Sequence, residues 1–185
     1  NVDLVINLGD FTNSAYNMEY DQFLSSYLRI ARPAVNVLGN HDAVGVGPNI
    51  FKKVFGDPNY FFESASLRFI FFNSTNLESP SNFDPGWLES TVNASTKPVL
   101  IFTHVPLIDS ERFTGSVATT MTNVIQHANT KVIVNGHRHV FNYSSESGTH
   151  LVQAPRAEGA RWLLIEIQGT QIDVQEINGG GTVST

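Results

Sequence analysis

The chain has 185 residues and a formal net charge of −6, and 41% of its residues are hydrophobic, which suits one globular domain with a substantial core. Eleven scattered basic residues argue against a nucleic-acid surface, and no apolar run approaches the ~20 residues that cross a membrane. The absence of cysteine excludes disulfides and thiolate metal sites, whereas a charged fraction of only 15% favours an extracytoplasmic protein without deciding the compartment.

Strands and helices alternate along the first part of the chain. Hydrophobic periodicity predicts a strand over 2–8, a helix over 19–30, a strand over 34–38, a short helix over 50–55 and a hairpin over 60–62 and 67–72. Next come a helix that Asp84 caps and Pro85 begins, a strand over 98–103, a helix over 117–128 and a strand over 131–135.

The last part of the chain changes character. Four consecutive strands are predicted, over 139–143, 149–153, 162–167 and 171–177, with Gly, Ser and Asn turns between them. Alternation followed by such a meander indicates a central sheet with helices outside and a second sheet stacked on it. We expect one domain over residues 1–178 and a mobile tail over 179–185.

Polar, potentially metal-binding groups follow four of the predicted strands. They are Gly9-Asp10, Gly39-Asn40-His41-Asp42, Thr103-His104 and Gly136-His137-Arg138-His139. Any one of them alone is a weak signal, since Gly-Asp after a strand is usually a turn and a lone histidine is usually structural. Together they predict a site, because ligands bind at the carboxyl ends of parallel strands. We expect all of these groups to meet at one edge of a single sheet.

The residue types fit a site for divalent metal ions. A carboxylate can bridge two cations, imidazole suits zinc and iron, and an amide oxygen adds a neutral ligand. If the segment from His137 to His139 is extended, both imidazoles point to the same side, so that one histidine could face each ion. The predicted ligands are Asp10, Asn40, His104, His137 and His139.

These four motifs resemble those of the calcineurin-like metallophosphoesterase superfamily. The matches span residues 9–139, and the form of Thr103-His104-Val105-Pro106-Leu107 looks like the branch that includes bacterial cyclic-nucleotide phosphodiesterase-like proteins. The resemblance implies an α/β fold with two stacked mixed sheets flanked by helices, an αββα sandwich. It also implies hydrolysis of a small phosphodiester or phosphomonoester by a hydroxide that bridges two divalent ions, Mn, Fe or Zn.

The resemblance also implies a role for each site residue. Asp10 would bridge both ions, Asn40, His104 and His137 would complete the second metal site, and His139 would belong to the first. His41 would be catalytic and protonate the leaving oxygen. Asp42 would orient His41 by accepting an imidazole N–H.

The superfamily's first motif, Asp-x-His after the first strand, occurs nowhere in these 185 residues. We therefore expect a chain that lacks its first strand, either as a fragment or as a naturally degenerate protein. We expect it to hold at most one ion and to have impaired activity. The exposed sheet edge could pair with a second copy of the chain. The alternative is a non-catalytic metal-binding or interaction domain on the same fold.

Overall fold

A computed structural model describes residues 2–64, 66–158, 160–169, 171–179 and 181–184. The α-helices are α1 (Asn17–Tyr27), α2 (Gly47–Phe55), α3 (Pro85–Asn93) and α4 (Gly115–Gln126), and a short 3₁₀ helix covers Pro80–Asn82. The strands are β1 (Val5–Asn7), β2 (Ala34–Asn36), β3 (Tyr60–Ser64), β4 (Leu67–Phe72), β5 (Val99–Thr103), β6 (Thr130–Asn135), β7 (Asn142–Glu146), β8 (Thr149–Gln153), β9 (Trp162–Gln168), β10 (Gln171–Asn178) and β11 (Gly181–Ser184).

Six strands form the largest sheet, in the order β3-β4-β5-β6-β8-β7. Its four inner strands are parallel to one another, and β3 and β7 run antiparallel at the two edges. Strand β5 is buried along its whole length, as expected for a parallel strand covered on both faces. This sheet carries the carboxyl ends of β5 and β6 to one rim.

The second layer consists of two separate sheets among the described residues. Strands β1 and β2 form a parallel pair, and β9, β10 and β11 form an antiparallel sheet. Apolar side chains from both, including Ile6, Val35 and Ile165, pack on the same core cluster as Phe102 and Val134 of the large sheet. The prediction that the four motif-bearing strands belong to a single sheet is therefore wrong, because β1 and β2 lie in the layer opposite β5 and β6.

Helices cover both outer faces, so the predicted sandwich is confirmed. Helices α3 and α4 bury Leu88, Val92 and Met121 against Ile101 and the other face of the large sheet. On the opposite side, α1 and α2 contribute Tyr20 and Phe51 to a separate cluster that contains Leu38, which follows β2. The α3 cap is as predicted, since Asp84 Oδ1 accepts from Trp87 N at 2.9 Å.

Element boundaries differ from prediction where burial does not follow hydropathy. Helix α1 ends at Tyr27 rather than at residue 30, and the strand predicted over 139–143 begins only at Asn142, after exposed Val140. In the predicted tail, Gly181–Ser184 pairs with β10. Mobility of residues 179–185 stays a prediction, and Gly180 and Thr185 lie outside the described residues. In the part of the chain described here, no helix is long and apolar enough to cross a membrane.

Candidate metal centre

Four of the predicted ligands meet between the two layers. Asp10 follows β1 and Asn40 follows β2, whereas His104 follows β5 and His137 follows β6. His104 Nε2 lies 3.1 Å from Asp10 Oδ2 and 2.9 Å from Asn40 Oδ1. His137 Nδ1 lies 2.9 Å from Asn40 Oδ1 and 3.2 Å from His104 Nε2. We call these four residues the ligand cluster.

The hydrogen bonding of His104 leaves its Nε2 without a proton to share with the neighbouring oxygen atoms of the cluster. His104 is buried, and its Nδ1 lies 2.7 Å from the carbonyl oxygen of Leu8, which can only accept, so that Nδ1 carries the proton. In a neutral imidazole Nε2 is then a bare lone pair, in contact with two oxygen atoms that also accept. Such a contact is repulsive unless a cation lies between the atoms or His104 takes a second proton on Nε2.

The spacing of the four donor atoms fits a metal ion. Two ligand atoms that each lie about 2.1 Å from one ion are about 3.0 Å apart when they subtend a right angle at it. Four of the separations within the cluster, 2.9 to 3.2 Å, match that value. One carboxylate, one amide oxygen and two imidazoles are a donor set that suits borderline divalent cations. The residues present therefore fit one ion.

Electrostatics favour the metal-binding protonation states of two ligands. Burial raises the pKa of Asp10, but a second proton on His104 Nε2, through its hydrogen bond and charge, and the backbone N–H of His41 outweigh it, so that the pKa lies below its usual value. Burial lowers the pKa of His137, and the nearby His104 and Arg112 lower it further. Asp10 is thus an anion and His137 a neutral imidazole at neutral pH.

Ser74 is a supporting residue that was not predicted from the sequence. Its Oγ accepts from the backbone N–H of His104 at 3.2 Å and of Val105 at 2.8 Å, which fixes the chain where it leaves β5. Ser74 lies just after β4, which is parallel to β5. The rule that located the other motifs, polar residues directly after a buried strand, would have found it.

Two glycines allow the loops after β1 and β2 to approach each other. Gly9 has a φ of 94°, and a Cβ there would lie 2.6 Å from Gly39 N. A Cβ on Gly39 would overlap the backbone nitrogen and carboxylate of Asp10. Any larger residue at position 39 would therefore displace the Asp10 carboxylate from the cluster.

Asp42 does not orient His41 as predicted. Its fully buried carboxylate accepts from the backbone N–H groups of Asp10 at 2.7 Å, Thr12 at 2.8 Å and Gly39 at 3.0 Å, and from Thr12 Oγ1 at 2.8 Å. Four donors saturate it, so none of its lone pairs is left for an imidazole. Asp42 instead joins the loop after β1 to the loop after β2.

His41 takes a different partner. Its Nδ1 lies 2.8 Å from the carbonyl oxygen of Asn13, so that Nδ1 donates and Nε2 is the atom left for other chemistry. Its backbone N–H donates to Asp10 Oδ1 at 2.9 Å, which leaves Oδ2 facing His104. The imidazole itself is exposed at the rim beside the ligand cluster.

His139 does not join the ligand cluster. Its side chain is exposed and has no hydrogen-bond partner among the described residues, and the group of close metal-binding side chains found there contains Asp10, His104 and His137 alone. The segment is not extended as predicted, because His137 has a φ of 72° and His139 a φ of 61°. The role of His139 in a second ion site stays a prediction.

The family model for calcineurin-like phosphoesterases matches residues 1–141. The chain belongs to this family. A comparison with curated protein sequences gives no significant match.

Solved structures with the same fold include three from different organisms. A dimetal phosphatase from Danio rerio superposes with a TM-score of 0.76 at 12% identity, over 99% of this chain and 83% of its own. A purple acid phosphatase from yellow lupin seeds gives 0.66 at 14% identity, over 96% of this chain and 42% of its own. GAP50, described as the anchor in the inner membrane complex of Plasmodium, superposes with a TM-score of 0.65 at 12% identity, over 99% of this chain and 73% of its own. At these identities the likeness shows the fold alone.

Proposed function

We propose that the protein is a metal-dependent phosphoric ester hydrolase whose site is the ligand cluster. The observation that carries the proposal is the convergence of four electron-pair donors from both layers, with four of their mutual separations between 2.9 and 3.2 Å. Membership of the family and the phosphatases among the structural neighbours support the same activity. The substrate class is a phosphodiester or phosphomonoester, and the finer assignment to a cyclic-nucleotide phosphodiesterase-like branch stays a prediction.

Asp10, Asn40, His104 and His137 would hold a divalent ion, with Mn, Fe and Zn the candidates for this donor set. Such an ion polarises a phosphoryl oxygen and makes water a better nucleophile. His104 is oriented for this by Leu8 and Ser74, and Asp10 by the N–H of His41. Since only these four candidate ligands converge among the residues that the structure describes, we infer one ion per chain and low turnover for these 185 residues.

His41 is the proposed proton donor to the leaving oxygen. Because Nδ1 is committed to the Asn13 carbonyl, the proton to be transferred is the one on Nε2 of the imidazolium. The Asp10 carboxylate accepts a hydrogen bond from the backbone N–H of His41, and this bond keeps His41 beside the cluster. A positioned general acid of this kind contributes about 10²–10⁴-fold to the rate.

The test is hydrolysis of bis-p-nitrophenyl phosphate, p-nitrophenyl phosphate and cyclic nucleotides by the purified chain with added manganese. We expect slow turnover that EDTA and Asp10→Asn both abolish. His150→Ala is the matched control, because His150 lies on β8 and contacts Tyr143 rather than the cluster. Tight metal binding with no turnover on any substrate would favour the non-catalytic alternative. Turnover that survives both EDTA and Asp10→Asn would refute the proposed site.

A further inference from the structure

The loop that carries His137 has an unfavourable backbone conformation. His137 and His139 both have positive φ, a region that is unfavourable for non-glycine residues and persists only when the surroundings hold it. Backbone hydrogen bonds hold its two ends, from Gly136 N to His104 O at 3.1 Å and from Arg156 N to His139 O at 3.2 Å. His137 itself lies between these two anchors.

Arg138 supplies a side-chain anchor directly after His137. Its Nη2 donates to Asp109 Oδ2 at 2.8 Å. The Arg138 side chain is 54% exposed, whereas that of Asp109 is 4% exposed. The exposed arginine is thus tied to a buried carboxylate, which limits the positions that the Arg138 side chain can take.

Asp109 is held in turn by the loop after β5. Its Oδ1 accepts from the backbone N–H groups of Glu111 at 3.0 Å and Arg112 at 3.2 Å. Burial raises the pKa of Asp109, but the bonds from Arg138, Arg112 and Glu111 outweigh it and leave the pKa below its usual value. One carboxylate therefore joins the loop that begins with His104 to the loop that contains His137.

We propose that Asp109 and Arg138 are a positioning pair that holds His137 in its metal-binding conformation. Without the ion pair, the segment 137–139 can relax toward negative φ, which rotates the imidazole away from Asn40 Oδ1. The inference rests on the proposed function in so far as the ligand cluster binds a metal. Among the described residues, neither side chain has a hydrogen bond or ion pair with a member of the cluster, so the expected effect is on metal affinity.

Three variants separate the ion pair from the turn. Asp109→Asn keeps an amide oxygen for the N–H groups of Glu111 and Arg112 but removes the charge, and Arg138→Gln removes the cation. The double variant removes both and leaves no unpaired charge. Glu63→Gln is the matched control, because Glu63 pairs with Arg68 at 2.7 Å and Lys97 at 2.6 Å near the start of β4, at the opposite end of the sheet.

The measurement is the Kd for Mn²⁺ and Zn²⁺ by titration calorimetry, with unfolding of the metal-free proteins followed in parallel. We expect each single variant to weaken binding about tenfold, as residues that orient a ligand commonly do, and the double variant to be no weaker than the singles. Arg138→Lys should recover part of the loss, and Glu63→Gln should stay within twofold of the unsubstituted protein.

Several outcomes overturn the inference. An unchanged Kd in Arg138→Gln overturns it even if the melting temperature falls, because a loss of stability without a loss of affinity indicates a purely structural role. An equal loss of metal affinity in Glu63→Gln also overturns it, because the effect would then come from general destabilisation. If the unsubstituted protein binds neither ion, the inference and the proposed function fail together, whereas normal binding with unaffected variants refutes the positioning pair alone.

Discussion

The two histidines of the His137-Arg138-His139 segment have contrasting surroundings. His137 lies within 3.2 Å of donor atoms on Asn40 and His104, whereas His139, two residues on, is exposed and has no side-chain partner among the described residues. The difference indicates that the neighbours of a histidine, and not its residue type alone, decide whether it can serve as a ligand. His137 meets residues from the opposite layer, and His139 meets none there.

The largest expected effect is on the charged member of the ligand cluster. Asp10→Asn removes the only carboxylate among the four ligands, so we expect the affinity for Mn²⁺ or Zn²⁺ to fall by more than about 100-fold, beyond the range for residues that only orient a ligand. Titration calorimetry and metal analysis after dialysis measure this. Stoichiometric metal retained by the variant would show that the ion is held elsewhere.

His41→Ala tests the exposed imidazole next to the cluster. Because it removes the proposed acid and no ligand, we expect turnover on esters with poor leaving groups to fall by about 100-fold, with a smaller loss on nitrophenyl esters and an unchanged metal Kd. The measurement is kcat across a series of leaving groups. Equal losses on good and poor leaving groups would rule out proton donation by His41.

Asp42 gives the loops that carry Asp10 and Asn40 a pH-dependent contribution to stability. Burial raises its pKa to about 6 against the four hydrogen bonds it accepts. The folded state therefore keeps a proton that the unfolded chain loses above about pH 4, so the free energy of unfolding falls as the pH rises from about 4 to about 6 and then levels off. At 1.36 kcal/mol per unit, this contribution is at most about 3 kcal/mol.

Asp42→Asn cannot ionise and should lose this slope. Denaturant unfolding in EDTA between pH 4 and 7 measures it, with Asp57→Asn as the control, since Asp57 is an exposed partner of Lys52. A slope that is the same in Asp42→Asn and in the unsubstituted protein would assign the pH dependence to other groups.

The smallest expected effect is that of His139→Ala. Since its side chain contacts no member of the ligand cluster, we expect the Kd of the bound ion to change less than twofold, with His150→Ala as a matched loss of an exposed imidazole. A loss comparable to that of Asp10→Asn would mean that His139 binds the same ion, and the contrast with His137 would disappear.

The sequence sufficed to predict the sandwich and the convergence of four of the five candidate ligands, but not the separation of His139 from them. Apolar runs in the sequence predict the buried strands. The position of a residue that directly follows a parallel strand is determined by that strand. Asp10, Asn40, His104 and His137 were found in this way. Ser74 obeys the same rule after β4, but a serine hydroxyl lacks the metal-ligand signal of a carboxylate, an amide or an imidazole.

Contacts between layers could not be predicted in this way. Apolar periodicity shows that a strand is buried but not which sheet it joins, so β1 and β2 were assigned to the sheet of β5 and β6. The Asp42 carboxylate is bound by backbone N–H groups, and Leu8 and Asn13 act through carbonyl oxygens. Backbone groups are the same in every residue, so the identities of these partners carry no sequence signal.

The division of the ligands between two layers has a mechanical consequence. Asp10 and Asn40 follow the β1–β2 pair and His104 and His137 follow the six-stranded sheet. No backbone-to-backbone hydrogen bond joins those two sheets in the described ranges. An ion held by all four side chains would cross-link the layers. Chelation should then loosen the short pair before the large sheet, and amide protons of residues 5–7 and 34–36 should exchange faster while those of β5 stay protected.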